Sequence, residues 1–355
     1  MKLMSISAGL ATIVIGASAL APAPATADGL VLPELTTVFT ALQVDQALTA
    51  VTDTITAVER AAVDEYLNSV VDEAGNVLSE ADVEVGTLVS GSLKIAVVAP
   101  DFGVSVGSMT VSATVEDAVP EFSVGAETTM DDTADDATSA GPGMGTWPDW
   151  TSSWHASIRI KIYFGNDYLG DGLFQTFKRK LQNDGSGAVD YWQVSRRAVG
   201  RPAQWEGRGP NGPMTVKKLW ASQKLTSASQ AQDREWMLNL TSPQEGFGGC
   251  RDGVEFTAGP FTFIPKECDE YDVWTGDIGH QRMYMDQGGY AHGGSRSLAY
   301  KTGFSIANNY APAFTWYEFV TLRIGSGGPD MKCADEWVGT VNGTGTGSCT
   351  YTSTG

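Results

Sequence analysis

The 355-residue sequence carries 42 acidic and 23 basic side chains, a net charge of −19, with 42% hydrophobic residues. Beyond the N-terminus no run is long and apolar enough to span a bilayer as a helix, and no nucleic-acid-binding module is recognisable, so neither a helical membrane span nor a nucleic-acid partner is expected. With three histidines and no Cys-x-x-Cys or His-x-x-x-His, a metal site finds no ligand set, and no cofactor is expected.

The chain opens on Lys2 and an apolar, uncharged run from Leu3 to Ala21, followed by "PAPATAD", in which Ala25 and Ala27 satisfy the small-residue rule for a signal-peptidase site. Residues 1–27 therefore read as a signal peptide, and the mature protein as secreted or cell-surface associated. An uncleaved anchor is the alternative, since the run is near spanning length.

Up to Gly145 there are 21 acidic residues against Lys2, Arg60 and Lys94, whereas the remaining 21 acids face 20 bases. All ten tryptophans, all four cysteines and all three histidines follow position 145. Such asymmetry predicts two regions with different roles. Residues 28–122 form the first, a small acidic α+β region. In it Leu48, Val51, Ile55, Val58, Ala62, Tyr66 and Val70 recur at three- and four-residue intervals, the stripe of one helix, with Ala74, Gly75 and Asn76 as its stop. A shorter helical pattern runs from Leu35 to Leu42. The stripe is either the buried face of the domain or a short oligomerising coiled coil. After it the period becomes two: "GSLKIAVVAP" reads as a strand, and "FGVSVGSMTVSATVEDAV" alternates with a one-residue slip at Gly107 and Ser108 that predicts a bulge or turn. The same alternation is compatible with a membrane-inserting hairpin.

Residues 123–146 read as an acidic Gly/Pro linker with too little apolar surface to order. Its Asp131, Asp132, Asp135 and Asp136 lack the spacing of a calcium loop.

Residues 147–355 form the second region. "HASIRIKIYF" sets Ile158, Ile160, Ile162 and Phe164 on one face and Arg159, Lys161 and Tyr163 on the other. Further strands are expected at 173–181, 189–197, 216–225, 236–241, 282–285, 298–305 and 314–324, between turn signals such as "GNDYLGDG", "QNDGSGAVD" and "GRGPNGPM". The fold class is thus mostly β, a Trp-rich β-sandwich or jelly-roll-like domain behind the small acidic α+β region, with a closed barrel as the competing architecture. Four cysteines in an exported chain imply two disulfides, and Cys250 with Cys268 and Cys333 with Cys349 are the local pairings.

Ten bases lie between Lys178 and Lys224 against Asp184, Asp190 and Glu206. If they share a face, the partner is a polyanionic surface polymer, nucleic acid or the protein's own acidic N-terminal region; otherwise they are ordinary solvated positions. "TWPDWTSSWH" places Trp147, Trp150 and Trp154 where rings can stack on sugars. "GHQRMYMDQGGYAHGG" reads as a strand with a glycine loop on each side, leaving Tyr284 and His292 as binding candidates and His280 in the opposite loop. The two imidazoles share a metal only if the second loop folds back. Catalytic material is thin: no Gly-x-Ser-x-Gly occurs, and Glu318 in "FTWYEFV" is a single carboxylate without a nameable partner. These features are consistent with a secreted protein that binds a surface or polysaccharide. A polysaccharide hydrolase with an acidic pro-region and a self-assembling surface protein are the alternatives.

Overall fold

The computed structural model describes the backbone of residues 25–27, 30–32, 34–49, 55–68, 78–101, 103–116, 119–130, 147, 154–182, 185–203, 214–239, 250–252, 256–258, 261–263, 266–268, 272–275, 282–287, 296–325, 331–333 and 349–351. Side chains are described within 34–49, 55–68, 78–101, 103–116, 119–130, 147, 156–182, 185–203, 214–234 and 302–325.

The chain begins with β1 (Ala25–Ala27), β2 (Leu30–Leu32), β3 (Leu35–Phe39), α1 (Ala41–Leu48) and α2 (Ala57–Leu67). Next come β4 (Val83–Ser90), β5 (Leu93–Pro100), β6 (Val104–Glu116), β7 (Val119–Met130), β8 (Trp154–Phe164), β9 (Asp167–Lys180), β10 (Val189–Pro202) and β11 (Met214–Leu225). A short α3 (Ser227–Gln232) leads to β12 (Asp233–Asn239), β13 (Cys250–Asp252), β14 (Phe256–Ala258), β15 (Phe261–Phe263), β16 (Lys266–Cys268) and β17 (Asp272–Thr275). The last strands are β18 (Arg282–Gln287), β19 (Arg296–Ala307), β20 (Phe314–Ile324), β21 (Met331–Cys333) and β22 (Cys349–Tyr351).

The protein is mostly β, with two seven-stranded antiparallel sheets. Sheet I has the order β12-β19-β10-β9-β8-β5-β4, and sheet II the order β17-β18-β11-β20-β7-β6-β3. Strands from both sequence regions lie in both sheets: β5 pairs with β8, and β7 pairs with β20. The expected linker does not begin at residue 123, because residues 123–130 complete β7; the alternation Phe122, Val124, Ala126, Thr128, Met130 carries on the buried face of the strand. Residues 131–146 lie outside the described residues.

Local chemistry sets the element boundaries. The single helix expected across 48–70 is two. Thr49 caps α1, and Thr56 starts α2 with a capping box in which its hydroxyl accepts from the Glu59 N–H while the Glu59 carboxylate accepts from the Thr56 N–H. The helix expected over Leu35 to Leu42 is instead β3 followed by α1, since Thr36, Thr37 and Val38 are β-branched and Thr40 forms a second capping box with Gln43. The phase slip at Gly107 and Ser108 is a bulge: Val106 pairs with Thr128 and Met109 with Ala126, one extra residue on β6.

Inward residues of the two sheets form one apolar cluster, with Ile95, Ile160 and Val194 from sheet I meeting Val111, Phe122 and Val320 from sheet II. α1 packs against β4 and β6 and adds Val44 and Leu48 to that cluster. The contact is close: a Cβ on Gly86 would collide with the backbone of Ala47. α2 lies on the opposite, outward face of sheet I, where Ala62, Val63 and Tyr66 cover Ala96, Val98, Tyr163 and Leu173. Burying side chains such as Val63 contributes about 1.5–3 kcal/mol each. Among the described residues no helix is long and apolar enough to cross a membrane.

Candidate binding face

Alternation on β8 turns Arg159 and Lys161 away from the core, as the sequence predicts, yet both are buried because α2 sits over them. Arg159 ion-pairs with Glu65 of α2 and, at 2.5 Å, with Asp171 of β9. Lys161 meets Glu65 at 2.6 Å, and Arg201 meets Asp171 at 3.0 Å. Tyr168 donates its hydroxyl to Asp171 at 2.8 Å, and Tyr66 of α2 donates to the Ser157 carbonyl at 2.8 Å. Burial pushes the Asp171 carboxyl up to about 6 against the pull of Arg159. Of the ten bases between Lys178 and Lys224, Arg201 also reaches Glu65 at 3.6 Å, and Lys217 ion-pairs with Glu116 and, at 2.8 Å, with Glu121, so part of the basic set has partners in the acidic stretch that precedes it.

Arg179 and Arg197 share the outward face of sheet I with Arg201, in register with Gln193 and Gln175, whereas other bases lie elsewhere. Arg196 of β10 and Lys178 of β9 point into the space between the sheets. Arg196 reaches Glu318 of β20 at 2.5 Å, hydrogen-bonds Thr176, and lies 5.4 Å from the Trp316 ring centroid. Gln223 of sheet II donates to Thr302 of sheet I at 2.6 Å. Lys178 sits 5.1 Å from the Trp192 ring centroid and 3.8 Å from the Met130 sulfur. Glu318 is thus 1% exposed, locked into a polar seam inside the core, with burial raising its carboxyl above the usual range. The carboxylate expected at a cleft faces no solvent. The aromatics that flank it in sequence face the other way.

On the outward side of sheet II, Trp220 of β11 and Tyr317 and Phe319 of β20 stand side by side, each half-buried. The Tyr317 and Phe319 ring planes are nearly parallel, 15° apart, and stacked with centroids 6.5 Å apart, and Trp220 meets Tyr317 edge-on at 5.5 Å. They lie low on the sheet because Gly125 of β7 is beneath them: a Cβ there would collide with the Tyr317 hydroxyl and crowd the Phe319 ring. The Lys218 ammonium stands 5.3 Å from the Trp220 ring centroid and 5.9 Å from that of Phe319, cation–π distances.

Register extends this strip. Ser222 is the ladder partner of Tyr317 on one side and of Tyr284 on the other, and Tyr284 is the partner of Trp274. One row further, Phe319 pairs with Trp220, Trp220 with Asp286 and Asp286 with Asp272. Cross-strand partners share a face, so the β17 and β18 positions continue the aromatic row with carboxylate-bearing residues beside it.

Of the binding residues expected from sequence, Tyr284 occupies a position next to this strip. Trp147 is elsewhere, with the Arg179 guanidinium of sheet I 5.4 Å from its ring centroid. Trp154 begins β8, with its side chain outside the described residues; Trp150, His280 and His292 also lie outside them. The β13–β16 ladder puts Cys250 opposite Cys268, and the β21–β22 ladder puts Cys333 opposite Cys349. Sequence reasoning missed Trp220, Tyr317 and Phe319. Their signal was parity: in "FTWYEFV" the residues on either side of a buried Glu318 must face outward. No group of His, Cys, Asp or Glu suited to a metal occurs among the described residues. No protein-family model, no curated protein and no solved structure matches this chain.

Proposed function

We propose that this protein is a secreted binder of polysaccharide, and that the outward face of sheet II is its binding surface. The observation that carries the reading is the low-lying strip of Trp220, Tyr317 and Phe319 above Gly125. Sugar rings offer apolar C–H faces and a hydroxyl rim. Half-exposed aromatic rings held close to a sheet match the first, and the tyrosine hydroxyl matches the second. The apolar leader ending at Ala27 supports export and removal of residues 1–27. Facing sheets with a shared core support the β-sandwich reading, and the opposed cysteines of two ladders support disulfides Cys250–Cys268 and Cys333–Cys349.

The hydrolase alternative gains nothing from Glu318, which is buried against Arg196. The self-assembly alternative has one observation in its favour: Val38, Leu42 and Val89 are exposed at the edge where β3 and β4 end their sheets.

The test is a glycan array followed by titration calorimetry on the secreted form. Tyr317→Ala with Phe319→Ala is expected to weaken binding at least about tenfold, the equivalent of about 1.4 kcal/mol. Absence of binding to any glycan, or full affinity in the double variant, sinks the proposal.

A further inference from the structure

We infer that Arg196 and Glu318 are positioning residues for the ring strip, because their ion pair between the sheets keys the register of β20; this rests on the binding reading above. Along β20, Phe314, Trp316, Glu318, Val320 and Leu322 point inward, and Thr315, Tyr317, Phe319, Thr321 and Arg323 point outward. A slip of one residue would turn every side chain to the wrong face, so burial forbids it. A slip of two leaves each face intact. Apolar burial is non-directional, so the alternation fixes which face the rings take but not their place along the ladder.

Their place matters. Phe319 is opposite Gly125 and Tyr317 opposite Glu127, and both rings lean over the bare Gly125 backbone. A two-residue slip in either direction carries them onto Ser123 or Glu127, which have a Cβ to lift them. Between the sheets the same slip moves Glu318 about 7 Å along the strand, away from Arg196. In the observed register Glu318 lies between Ala221 of β11 and Ala126 of β7, and these small side chains leave room for the guanidinium that reaches across from β10 at 2.5 Å. In the place of Val320 the carboxylate would lie between Leu219 and Val124; in the place of Trp316 it would leave Arg196 facing Val320. Either slip parts a buried cation from its carboxylate, a penalty that an all-apolar seam would not impose. Gln223, which donates to Thr302 of sheet I at 2.6 Å, ties β11, and with it Trp220, to the same frame. Specifying register at a cost in stability is the best-attested use of a buried polar pair.

The experiment compares the full secreted chain with its Arg196→Met/Glu318→Leu variant in three ways: unfolding free energy in urea, affinity for cellohexaose, chitohexaose, laminarihexaose and hexagalacturonate, and disulfide trapping of the register. For the trapping, Ser123→Cys and Thr321→Cys are placed in both backgrounds; these ladder partners have hydroxyls 2.9 Å apart and close a disulfide when β20 is in its native place. The apolar pair is expected to be at least as stable as wild type, to trap poorly, and to bind about tenfold more weakly the hexasaccharide that wild type binds best. Should it misfold, Arg196→Met/Glu318→Gln, which keeps a polar group at 318, takes its place with the same expected loss of trapping and affinity. Wild-type trapping and affinity in the apolar pair overturn the key and leave the binding reading standing. Affinity that falls only as far as stability falls, with trapping intact, overturns it too and makes the pair purely structural. Loss of trapping in a protein whose wild type binds none of the four sugars overturns the binding reading, and the ring-positioning role with it.

Discussion

Sheets I and II have the same strand count and a common core, yet their outward faces are finished differently. On sheet I the outward positions of β8, β9 and β10 bring Arg159, Lys161, Asp171 and Arg201 under α2, where Glu65 joins them. On sheet II the outward positions of β11 and β20 bring Trp220, Tyr317 and Phe319 to a surface that no described helix covers. Burying charge costs several kcal/mol per ion and is tolerated only when partners are fixed, so the first face is committed to structure. Leaving rings half-exposed forfeits hydrophobic stabilisation that the chain has other means of securing, as α2 demonstrates on sheet I. The contrast separates residues whose loss should unfold the protein from residues whose loss should silence it.

The largest expected effect is on sheet I. Replacing Arg159 by Leu removes the fully buried cation between Glu65 and Asp171, leaving Asp171 only Arg201 and Tyr168, and should lower unfolding free energy by about 3 kcal/mol in urea titrations. Replacing Tyr317 by Ala should change that free energy far less while weakening glycan binding; equal destabilisation by the two would erase the distinction. Acidification comes next. The folded Asp171 carboxyl titrates near 6 against an ordinary value of 3.8, so the folded state takes up a proton before the unfolded state does. Stability should therefore rise as pH falls from about 7 toward 4, by roughly 2–3 kcal/mol from this group, and Asp171→Asn should flatten that slope. Stability that declines steadily over the same interval would contradict the account of the buried cluster. Gly125→Val, which raises the rings off sheet II, should cost about 1–3 kcal/mol and weaken binding beyond what its stability loss explains. Unaltered affinity in a folded Gly125→Val protein would show that ring height is irrelevant. The smallest effect belongs to the cap of α2: Thr56→Ala should cost about 1 kcal/mol with no change in affinity.

Much of the architecture was legible because period two is a local signal. The strands at "HASIRIKIYF", 189–197, 216–225 and 314–324 formed as expected, and the Gly107–Ser108 slip became a bulge. What lay outside local reach was which strands become neighbours. The change in charge at residue 145 suggested a boundary between bodies, but pairing of β5 with β8 and β7 with β20 is set by shared burial, to which net charge is indifferent. For the same reason Arg159 looked solvated: alternation gives the face and not what lies over it. The candidate face was half visible. Tyr284 was chosen for its glycine loops and lies beside the strip for a different reason, its register with Ser222. Glu318 attracted attention through its aromatic neighbours, whose exposure is the consequence of its burial.

β20 lies between β11 and β7 at the centre of sheet II, and Thr321 hydrogen-bonds Ser123 across 198 residues. Without Phe314–Ile324 the sheet falls into β17-β18-β11 on one side and β7-β6-β3 on the other. A ribosome that has released the first 300 residues has therefore released no complete sheet, and closing so long a loop makes assembly of the sheet a late event. Vectorial synthesis leaves the N-terminal half waiting for the C-terminal one.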